Sequence, residues 1–574
     1  MNLLKKHWFF ILLIFIAAVV RFYDLSAVPM DSDELGALFR AEKTQSSFWA
    51  HITQGVAIDG HPAGVQTIIW ILFKVLHFNE WTYKLIWGLF SLMNLGLFYR
   101  FCLMESDKKA AEFSAILMAL LYFPVSMSVW VRPYELGLTA LLLFLNFRRH
   151  SNQIFVGFLL SLTLYTHYFS FLTAIIYLFI SDKINIRNFK IIFIALLIAA
   201  PQWTVFTHQI HEGGLSWLGK PKIDWFVDHL YFTFNQSNLV LLIVILATSW
   251  SLYQKAKVGK TAIIAISTWI SVLAIGWTYS VIFKPVLQNH VVYFAFPFFL
   301  FFLGTFTFSK VPAVGRFLLM SVLLVSLIHE VQFQFIRTSN KYASTVVKIA
   351  QDPTLKLLPI KADGPEDILQ YQFQKFGLQF QHLDSVGEST DTFLFVSNSG
   401  TPDWMLPWLE SKFQRVPAFG RHSIWFTIGG RIDAFAIKHP PKETKTLTWH
   451  IPNDSNVFIE LKKLNPDVSR NDWVYFEFIP STTEPLEFTT ALFEPGFNKA
   501  LNQIDYRFTA IPNTEKLNPF VHVLKLEDIP NSSIESVIRI HIKSVKPTIT
   551  RVVGKVCRGN PWQYKFPRTQ LITF

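Results

Sequence analysis

The sequence has little charge and almost no cysteine. Asp, Glu, Lys and Arg make up only 16% of its 574 residues, against roughly 25% in an ordinary soluble domain. This shortage argues against a disordered chain, a coiled coil or a typical soluble enzyme. The two cysteines are Cys102, which lies at the end of an apolar run, and Cys557, which is close to the C-terminus. We therefore expect no disulfide framework.

Apolar and aromatic residues are abundant instead. Hydrophobic residues make up 51% and aromatic residues 16% of the chain, and the mean hydropathy is +0.33. Such a composition is typical of a polytopic membrane protein with a soluble part. The net charge of +12 would suit a nucleic-acid binder, but the Lys and Arg residues lie between apolar runs, as membrane topology requires. We therefore expect membrane lipid, and not nucleic acid, as a partner.

Eleven apolar segments are candidates for membrane-spanning helices. They cover approximately residues 8–20, 82–99, 113–131, 134–147, 153–167, 168–181, 189–207, 237–254, 261–283, 290–308 and 315–336. Several are shorter than the roughly 20 residues that a span needs, and 153–181 fits either one long helix or two short ones. The first run resembles a signal peptide, but no small-residue cleavage site follows it, so we interpret it as an uncleaved span.

The distribution of basic residues favours one orientation in the membrane. With the N-terminus inside, the cytoplasmic segments contain fifteen Lys and Arg residues and the outer segments eight, as the positive-inside rule predicts. An odd number of spans then places the chain after residue 337 outside. The apolar run 62–78 would reverse the later loops if it crossed the membrane, so we expect it to lie along the outer membrane face.

The first outer loop is rich in carboxylates. Among them are Asp31, Asp33, Glu34 and Asp59, and His61 follows these four. A carboxylate at the membrane edge can act as a general base or bind a cation. The first three also fit a solvated helix N-cap, a position that favours Asp and Ser.

Six short motifs follow one another between residues 31 and 286. They are Asp31–Ala41 (DSDELGALFRA), Asp59–Gly64 (DGHPAG), Phe78–Trp81 (FNEW), Val131–Glu135 (VRPYE), Leu164–Phe169 (LYTHYF) and Lys284–Val286 (KPV). In this order they resemble motifs of the GT-C glycosyltransferases, and most of all glycosyltransferase family 39. That family includes the protein O-mannosyltransferases and the bacterial aminoarabinose transferase of lipid A.

Two positions depart from the pattern of this family. Its double proline is not kept, because Ala63 follows Pro62, and the Arg-Tyr pair of its last outer turn is replaced by Asn289 and His290. Both departures concern the identity of the substrate. Neither removes the acidic pair of the first outer loop.

The resemblance implies a mainly α-helical GT-C membrane domain over residues 1–336 with about eleven transmembrane helices. It implies an enzyme of the bacterial inner membrane that transfers a hexosyl or pentosyl group, generally with inversion, from a polyprenyl-phosphate donor to a protein, lipid or glycan outside the cell. The resemblance implies, from the position of Asp33, that this residue is the catalytic general base, and that Glu34 either supports it in catalysis or binds the acceptor. Asp31 is the alternative base, because one sequence does not fix the register.

The leaving group of this reaction is an anionic phosphate, which cationic side chains must hold. The candidate substrate-binding residues lie at the outer ends of the predicted spans and in the first outer loop. They are Asp31, Asp59, His61, Arg132, Tyr134, His167, Lys220, Lys284 and His290. Arg132 and Lys284 could instead be residues that snorkel to the membrane interface. The histidines could instead be hydrogen-bonded polar residues that take no part in catalysis.

Metal ligands are not evident from the spacing of the histidines. His208 and His211, followed by Glu212, match neither HExxH nor its inverse. We expect the loop 208–235 to close over the site instead, with Trp217–Pro221 suited to interfacial docking and sugar stacking. The resemblance leaves use of a divalent cation open, and no other cofactor is expected.

The composition changes near residue 337, where apolar runs shorten. Residues 337–430 predict a small extracytoplasmic α/β domain, with helices at 342–351, 365–376 and 403–413 and strands at 357–360, 392–397 and 423–428. Residues 431–574 show short alternating strands at 457–461, 473–479, 486–492, 506–511, 520–526 and 537–543, which predict an extracytoplasmic β-sandwich. It fits either a carbohydrate-binding module or a structural domain.

Two other functions remain open at this point. One is a transporter or flippase of envelope lipids or glycans, and the other is a non-enzymatic envelope scaffold. Transporters usually contain paired repeats and polar residues at the membrane midplane, whereas the ionisable residues here lie at the outer ends of the spans. We therefore favour a glycosyltransferase.

Overall fold

The computed structural model divides the chain into two units, Met1–Asn340 and Lys341–Phe574. The structure describes residues 2–28, 30–77, 79–181, 185–211, 220–235 and 237–330 of the first unit. In the second unit it describes 346, 349–351, 353, 355–357, 359–362, 366–382, 392–397, 413–419, 431–437, 447–452, 455–464, 473–479, 486–493, 500–508, 520–525, 536–544 and 549–557.

The described part of the first unit is α-helical. Its helices are α1 (Asn2–Phe22), α2 (Ser32–Lys43), α3 (Phe48–Ala50), α4 (Ala63–Leu76), α5 (Glu80–Glu105), α6 (Lys108–Leu120), α7 (Tyr122–Met127), α8 (Pro133–Phe147), α9 (Gln153–Thr166), α10 (Tyr168–Ser181), α11 (Ile186–Ala199), α12 (Trp203–His211), α13 (Trp225–Thr233), α14 (Asn238–Tyr253), α15 (Lys260–Ile282), α16 (Phe296–Phe302) and α17 (Gly315–Val325). A 3₁₀ segment, Val291–Ala295, precedes α16.

Several helices are long and apolar enough to cross a membrane. They are α5, α15 and the continuous segment Ile186–Ile210, and α13 and α14 together form a further, bent candidate. Shorter apolar helices accompany them, among them α8, α9, α10 and α4. The chain is thus an integral membrane protein, whereas the number of eleven spans and their orientation remain predictions.

Short polar side chains determine where many of these helices begin. Asp31, Asn79, Asp107 and Asn152 each accept a hydrogen bond from a backbone N–H of the helical turn that follows. Such N-caps satisfy donors that the helix itself leaves without partners. In α8 the first position is Pro133, which has no N–H to satisfy.

The segment predicted as one long helix or two short ones consists of two. Helix α9 ends at Thr166, His167 is extended (φ −161°, ψ 135°), and α10 begins at Tyr168. The predicted span 113–131 is also interrupted, since α6 ends at Leu120 and the short α7 follows. The breaks place His167 and the segment before α8 at helix ends.

Helix α4 lies very close to the end of α9. A Cβ atom at Gly64 would be 2.6 Å from the carbonyl oxygen of Tyr165, so only glycine allows this approach. The Gln202 amide strengthens the contact, accepting from Ala63 N at 3.1 Å and donating to Leu164 O at 3.2 Å. The start of α4 is thereby fixed beside His167.

The second unit contains a mixed five-stranded sheet. Its strands are β1 (Ile360–Ala362), β2 (Gln381–His382), β3 (Thr392–Ser397), β4 (Phe413–Phe419) and β5 (Arg431–Ile437), in the order β2-β1-β3-β5-β4. Strand β1 is parallel to β2 and β3, whereas β5 is antiparallel to β3 and β4. Because β5 begins at residue 431, this sheet extends beyond the boundary predicted at residue 430.

The predictions for this region were right in part. Helix α18 (Glu366–Lys375) and β3 lie where they were expected. The strand predicted at 357–360 was wrong, since a 3₁₀ turn ends at Leu357 and β1 begins only at Ile360. Pro359 contributes to the difference, because proline has no backbone N–H to donate to a neighbouring strand.

Other predicted elements of this region fall wholly or partly outside the described residues. The helix 342–351 is described only in part, and the strand 423–428 not at all. The helix 403–413 lies outside the description except for Phe413, which begins β4.

Two antiparallel four-stranded sheets follow in the second unit. Their strands are β6 (Leu447–Pro452), β7 (Ser455–Glu460), β8 (Trp473–Ile479), β9 (Leu486–Phe493), β10 (Ala500–Phe508), β11 (Phe520–Lys525), β12 (Val537–Ser544) and β13 (Ile549–Cys557). Their orders are β10-β9-β12-β7 and β11-β8-β13-β6. In β12, Ile538 and Ile540 are buried. The division of this unit into two domains remains a prediction.

Candidate active site

Asp31 is the cap of α2. Its Oδ1 accepts from the backbone N–H groups of Asp33 and Glu34 at 2.9 and 2.8 Å, and its Oδ2 accepts from Trp130 Nε1 at 2.9 Å. In return, Glu34 Oε2 accepts from Asp31 N at 2.8 Å, which completes a capping box. Both oxygens of Asp31 are therefore engaged in holding the loop.

Glu34 is fully buried among protein donors. Its Oε1 accepts from Lys84 Nζ at 3.1 Å and from the Val131 backbone N–H at 2.7 Å, and Lys84 also donates to Val129 O at 2.9 Å. Burial raises the pKa of Glu34 to about 7, although Lys84 opposes the shift. Glu34 thereby links α2, α5 and the segment before α8, and its role as the catalytic support of Asp33 stays a prediction.

Asp33 differs from the other three carboxylates because its side chain is exposed. It lies in the first turn of α2, and its backbone carbonyl accepts from Arg132 Nη1 at 3.1 Å. Its carboxylate contributes to the electrostatic environment of Arg40, His61 and Arg132. A carboxylate in this position can contact both solvent and a bound ligand.

Asp59 is the centre of a buried charged cluster. It is 5% exposed, and its Oδ2 accepts from Gln66 Nε2 at 2.7 Å and from Arg40 Nη2. Arg132 Nη1 lies 3.5 Å from the same oxygen. Burial alone would favour the neutral acid, but the two arginines and His61 outweigh it and hold the pKa of Asp59 well below its usual value.

His61 connects this carboxylate to the rest of the cluster. Its Nδ1 lies 2.6 Å from Asp59 Oδ1 and 3.0 Å from Arg132 Nη2. The shorter contact indicates that Nδ1–H donates to Asp59, which leaves Nε2 as the unprotonated nitrogen of the neutral ring. Burial and the neighbouring Arg132 charge lower the pKa of His61.

Aromatic and imidazole rings form a contiguous group beside the charged cluster. The ring of Tyr134 is stacked on Trp130, with 4.9 Å between centroids, and lies 5.0 Å from His290 and 5.7 Å from His167. His61 is 5.5 Å from His167. Rings of this kind can stack on a sugar or pack against an apolar ligand.

The structure thus brings together most of the residues predicted for the site. Asp31, Asp33, Glu34, Asp59, His61, Arg132, Tyr134, His167 and His290 belong to one connected set of contacts. Two predicted residues lack a described contact with it. Lys284 Nζ donates to Ile210 O at 2.5 Å, and Lys220 is exposed.

Four residues of the site were missed by the sequence analysis. Arg40 and Gln66 donate hydrogen bonds to Asp59, and Lys84 donates one to Glu34. Gln209, on α12, donates to His61 O at 2.8 Å and to Asp59 O. A signal existed only for Lys84, since a lysine near the start of an apolar span needs a partner.

Metal binding finds no support in the residues that the structure covers. Among them, no group of three or more His, Cys, Asp or Glu side chains could hold a metal ion. The pair His208 and His211 was considered with Glu212, but Glu212 and most of Trp217–Pro221 lie outside the described residues.

Comparison with known proteins gives only distant similarities. No protein-family model matches the chain, and no curated protein sequence does. Among solved structures, ArnT from Cupriavidus metallidurans is 13% identical, with a TM-score of 0.45 over 75% of this chain and 98% of that chain. Another structure of that protein contains undecaprenyl phosphate and gives 14% identity and a TM-score of 0.44.

Two further structures are similar at the same level. The arabinofuranosyltransferase AftD from Mycobacteria is 10% identical, with a TM-score of 0.43 over 96% of this chain and 58% of that chain. The oligosaccharyltransferase from Archaeoglobus fulgidus is 10% identical, with a TM-score of 0.36 over 94% and 96%. All three proteins are GT-C glycosyltransferases, the class that the motifs of this chain resemble. At these identities and TM-scores, the likeness carries no conclusion about substrate or mechanism.

Proposed function

We propose that the chain is a membrane glycosyltransferase that transfers a sugar from a polyprenyl-phosphate donor to an acceptor outside the cytoplasm. The observation that carries this proposal is the placement of one exposed carboxylate, Asp33, beside a buried arginine that is fixed at the start of α8. A base and an anion-binding group are the two functions that such a transfer needs.

The proposed chemistry assigns the proton and the leaving group separately. The acceptor oxygen attacks the anomeric carbon as the bond from that carbon to the phosphate oxygen breaks, so the configuration inverts. Asp33 takes the proton of the acceptor hydroxyl. The phosphate leaves with the bonding electron pair and is held by Arg132.

Arg40 is the second cation available to the donor phosphate. Arg40 and Arg132 both contact the Asp59 carboxylate, so the cluster already presents two guanidinium groups to one anion. Planar guanidinium groups recognise carboxylate and phosphate in similar geometry. Asp59 keeps both arginines oriented before the donor arrives.

The test of the proposal is the Asp33→Asn variant. The amide keeps the shape of the side chain but cannot accept the proton, and we expect transfer to fall by at least about 100-fold, the lower end of general-base contributions. The assay uses the protein in liposomes with a polyprenyl-phosphate sugar as donor. Mass spectrometry of envelope glycans and glycoproteins, with and without the gene, identifies the sugar and the acceptor.

Asp31→Asn is the matched control, because Asp31 is also a carboxylate of the same loop but serves as a cap. Its amide oxygen can still accept from the α2 backbone, so we expect a milder loss. If Asp31→Asn is inactive while Asp33→Asn remains active, Asp31 is the base. If both variants remain fully active, neither carboxylate is the base and the mechanism is wrong.

A further inference from the structure

A buried polar network adjoins the candidate active site. It is centred on side chains from the first two turns of α8. Glu135 is fully buried, and it directly follows Tyr134 in the sequence. Its Oε2 accepts from Asn94 Nδ2 at 2.6 Å, and its Oε1 accepts from Tyr293 O–H at 3.0 Å. Thr139 completes the network by donating to Asn94 Oδ1 at 2.7 Å.

A buried arginine lies close to this carboxylate. Arg21, near the end of α1, donates from Nε to Ser91 Oγ at 3.0 Å and from Nη1 to Ala119 O at 2.8 Å. Arg21 and Glu135 interact electrostatically, and their partners Ser91 and Asn94 lie three residues apart on α5. The network therefore joins α1, α5, α8 and the segment Val291–Ala295.

Stability alone does not account for such a network. Removing two charges from water is costly, and apolar residues of similar volume are often at least as stable in their place. Ionisable residues within membrane domains usually have a function for this reason. The function has to be sought in what the network holds in place.

The network fixes the two segments that carry the Tyr134 and His290 rings of the candidate active site. Tyr134 precedes Glu135 on α8, and His290 lies three residues before Tyr293. The rings of Tyr134 and His290 contact each other, with 5.0 Å between their centroids, and both contact Trp130. The Glu135–Tyr293 hydrogen bond is thus a direct tie between the two segments that supply these rings.

We propose that Glu135 and Tyr293 are positioning residues, whose hydrogen bond sets the separation of the Tyr134 and His290 side chains in the substrate site. This inference rests on the proposed glycosyl transfer. Neither residue contacts the reacting atoms. Their effect is to keep the bound sugar aligned with Asp33, since a displacement of about 1 Å can cost about 100-fold in rate.

Tyr293→Phe is the most direct test, because it removes one hydroxyl and little else. We expect kcat to fall by at least about 10-fold, within the range for misplaced reacting groups, while binding of a polyprenyl phosphate remains at the wild-type level. Tyr99→Phe is the matched control. The Tyr99 hydroxyl is also buried but has no hydrogen-bond partner among the described residues, so its loss should leave kcat and lipid binding unchanged.

A second pair of variants separates positioning from stability. Glu135→Leu leaves the Arg21 charge without its partner and removes the acceptor of the Tyr293 hydroxyl, so it should lower both kcat and the unfolding temperature. The double variant Arg21→Met, Glu135→Leu removes both charges, and we expect it to regain unfolding temperature but not kcat, because the hydrogen bond to Tyr293 is still missing. If it regains both, the network is only structural and the inference is wrong.

The failure of this inference differs from the failure of the proposed function. A wild-type protein that neither binds a polyprenyl phosphate nor transfers a sugar contradicts the proposed function. A wild-type protein that does both, together with a Tyr293→Phe variant of unchanged kcat, contradicts only the positioning role.

Discussion

Asp59 has a negative charge at a position that is almost closed to water, and its neighbours make this possible. A buried carboxylate without partners would be protonated, but two arginines, one histidine and Gln66 surround it. The compensation is mutual, because Asp59 and Asp33 also keep Arg132 charged against its own burial and raise its pKa. Charge at this site is therefore a property of the cluster.

Arg132 and Lys284 are expected to differ in their effect on donor use. Arg132 is 7% exposed and lies within the cluster, whereas the Lys284 ammonium donates to the Ile210 carbonyl, outside the cluster. Loss of a charge-assisted contact costs about 1.5–3 kcal/mol, or about 10- to 150-fold. We expect Arg132→Ala to weaken donor use by this factor and Lys284→Ala to have a small effect. Steady-state kinetics at varied donor concentration measure both.

Two results would change this assignment. Unchanged donor kinetics in Arg132→Ala would make Arg132 an interfacial residue. An equal loss in both variants would place Lys284 at the phosphate as well. Arg132→Lys serves as an intermediate variant, because lysine keeps the charge but not the planar, two-pronged geometry.

Glu34 is expected to make stability depend on pH. Its pKa is raised from 4.5 to about 7 by burial, so the folded state binds this proton more tightly than the unfolded chain. The corresponding stabilisation is fully present below about pH 4.5 and is lost as the pH rises through about 7. Thermal unfolding of the purified protein between these pH values should show the decline.

The Glu34→Gln variant removes this titration, so we expect a flatter pH dependence of its unfolding temperature. Asp33→Asn is the control, since the exposed Asp33 carboxylate lies in the same helical turn and its substitution should leave the slope unchanged. A wild-type slope in Glu34→Gln would show that another group titrates in this range.

The sequence predicted which residues belong to the site more readily than which of them contact one another. Asp33, Asp59, His61 and Arg132 were recognised as candidates, because they lie in the first outer loop or at the end of a predicted span and belong to the motifs that resemble glycosyltransferase family 39. Their mutual contacts join residues that are far apart in the chain, and local patterns do not encode such distances. Lys84 shows the limit, since its partner Glu34 is 50 residues away.

At the scale of elements, the breaks between helices determine the site. The end of α9 places His167 beside the start of α4, and the interrupted segment after α6 places Trp130 and Arg132 against α2. The sequence could predict the helices, because long apolar runs are a strong signal. It left the break at His167 open, since one long apolar run fits one helix or two.

The contact between α4 and α9 can be tested with one methyl group. Gly64→Ala would place a Cβ 2.6 Å from the Tyr165 carbonyl oxygen, so α4 must move. Overpacking of this kind costs about 1–3 kcal/mol. We expect a lower unfolding temperature and reduced transfer, because α4 follows directly on the His61 loop.

Gly96→Ala is the matched control for this substitution. Gly96 lies within α5, and a Cβ there would meet no atom of the part of the chain that the structure describes within 4 Å. Alanine in a helix interior is favoured over glycine by about 0.5–1 kcal/mol, so this variant should be as stable as the wild type or slightly more stable. A Gly64→Ala variant with equal stability would mean that the contact with α9 is loose.

At the scale of the whole molecule, two kinds of structure follow one another in the chain. Composition predicted the change near residue 337, and the boundary between the two units lies at residues 340 and 341. Within the second unit the strands β6 and β13 were not predicted, although they pair with each other and β13 also pairs with β8. Their alternation is weak, and pairing between distant strands is not visible in a single sequence.

The membrane orientation gives the last prediction, and the external position of the active site depends on it. The excess of Lys and Arg in alternate segments predicts that the N-terminus lies inside and the second unit outside. Reporter fusions at Lys183 and Lys257 should therefore read cytoplasmic, and a fusion after Arg337 should read external. Asp33 and Arg132 lie on segments that this orientation places at the outer face, where a lipid-linked donor and an extracytoplasmic acceptor can meet. A cytoplasmic result after Arg337 would reverse the loops and contradict a transfer reaction outside the cytoplasm.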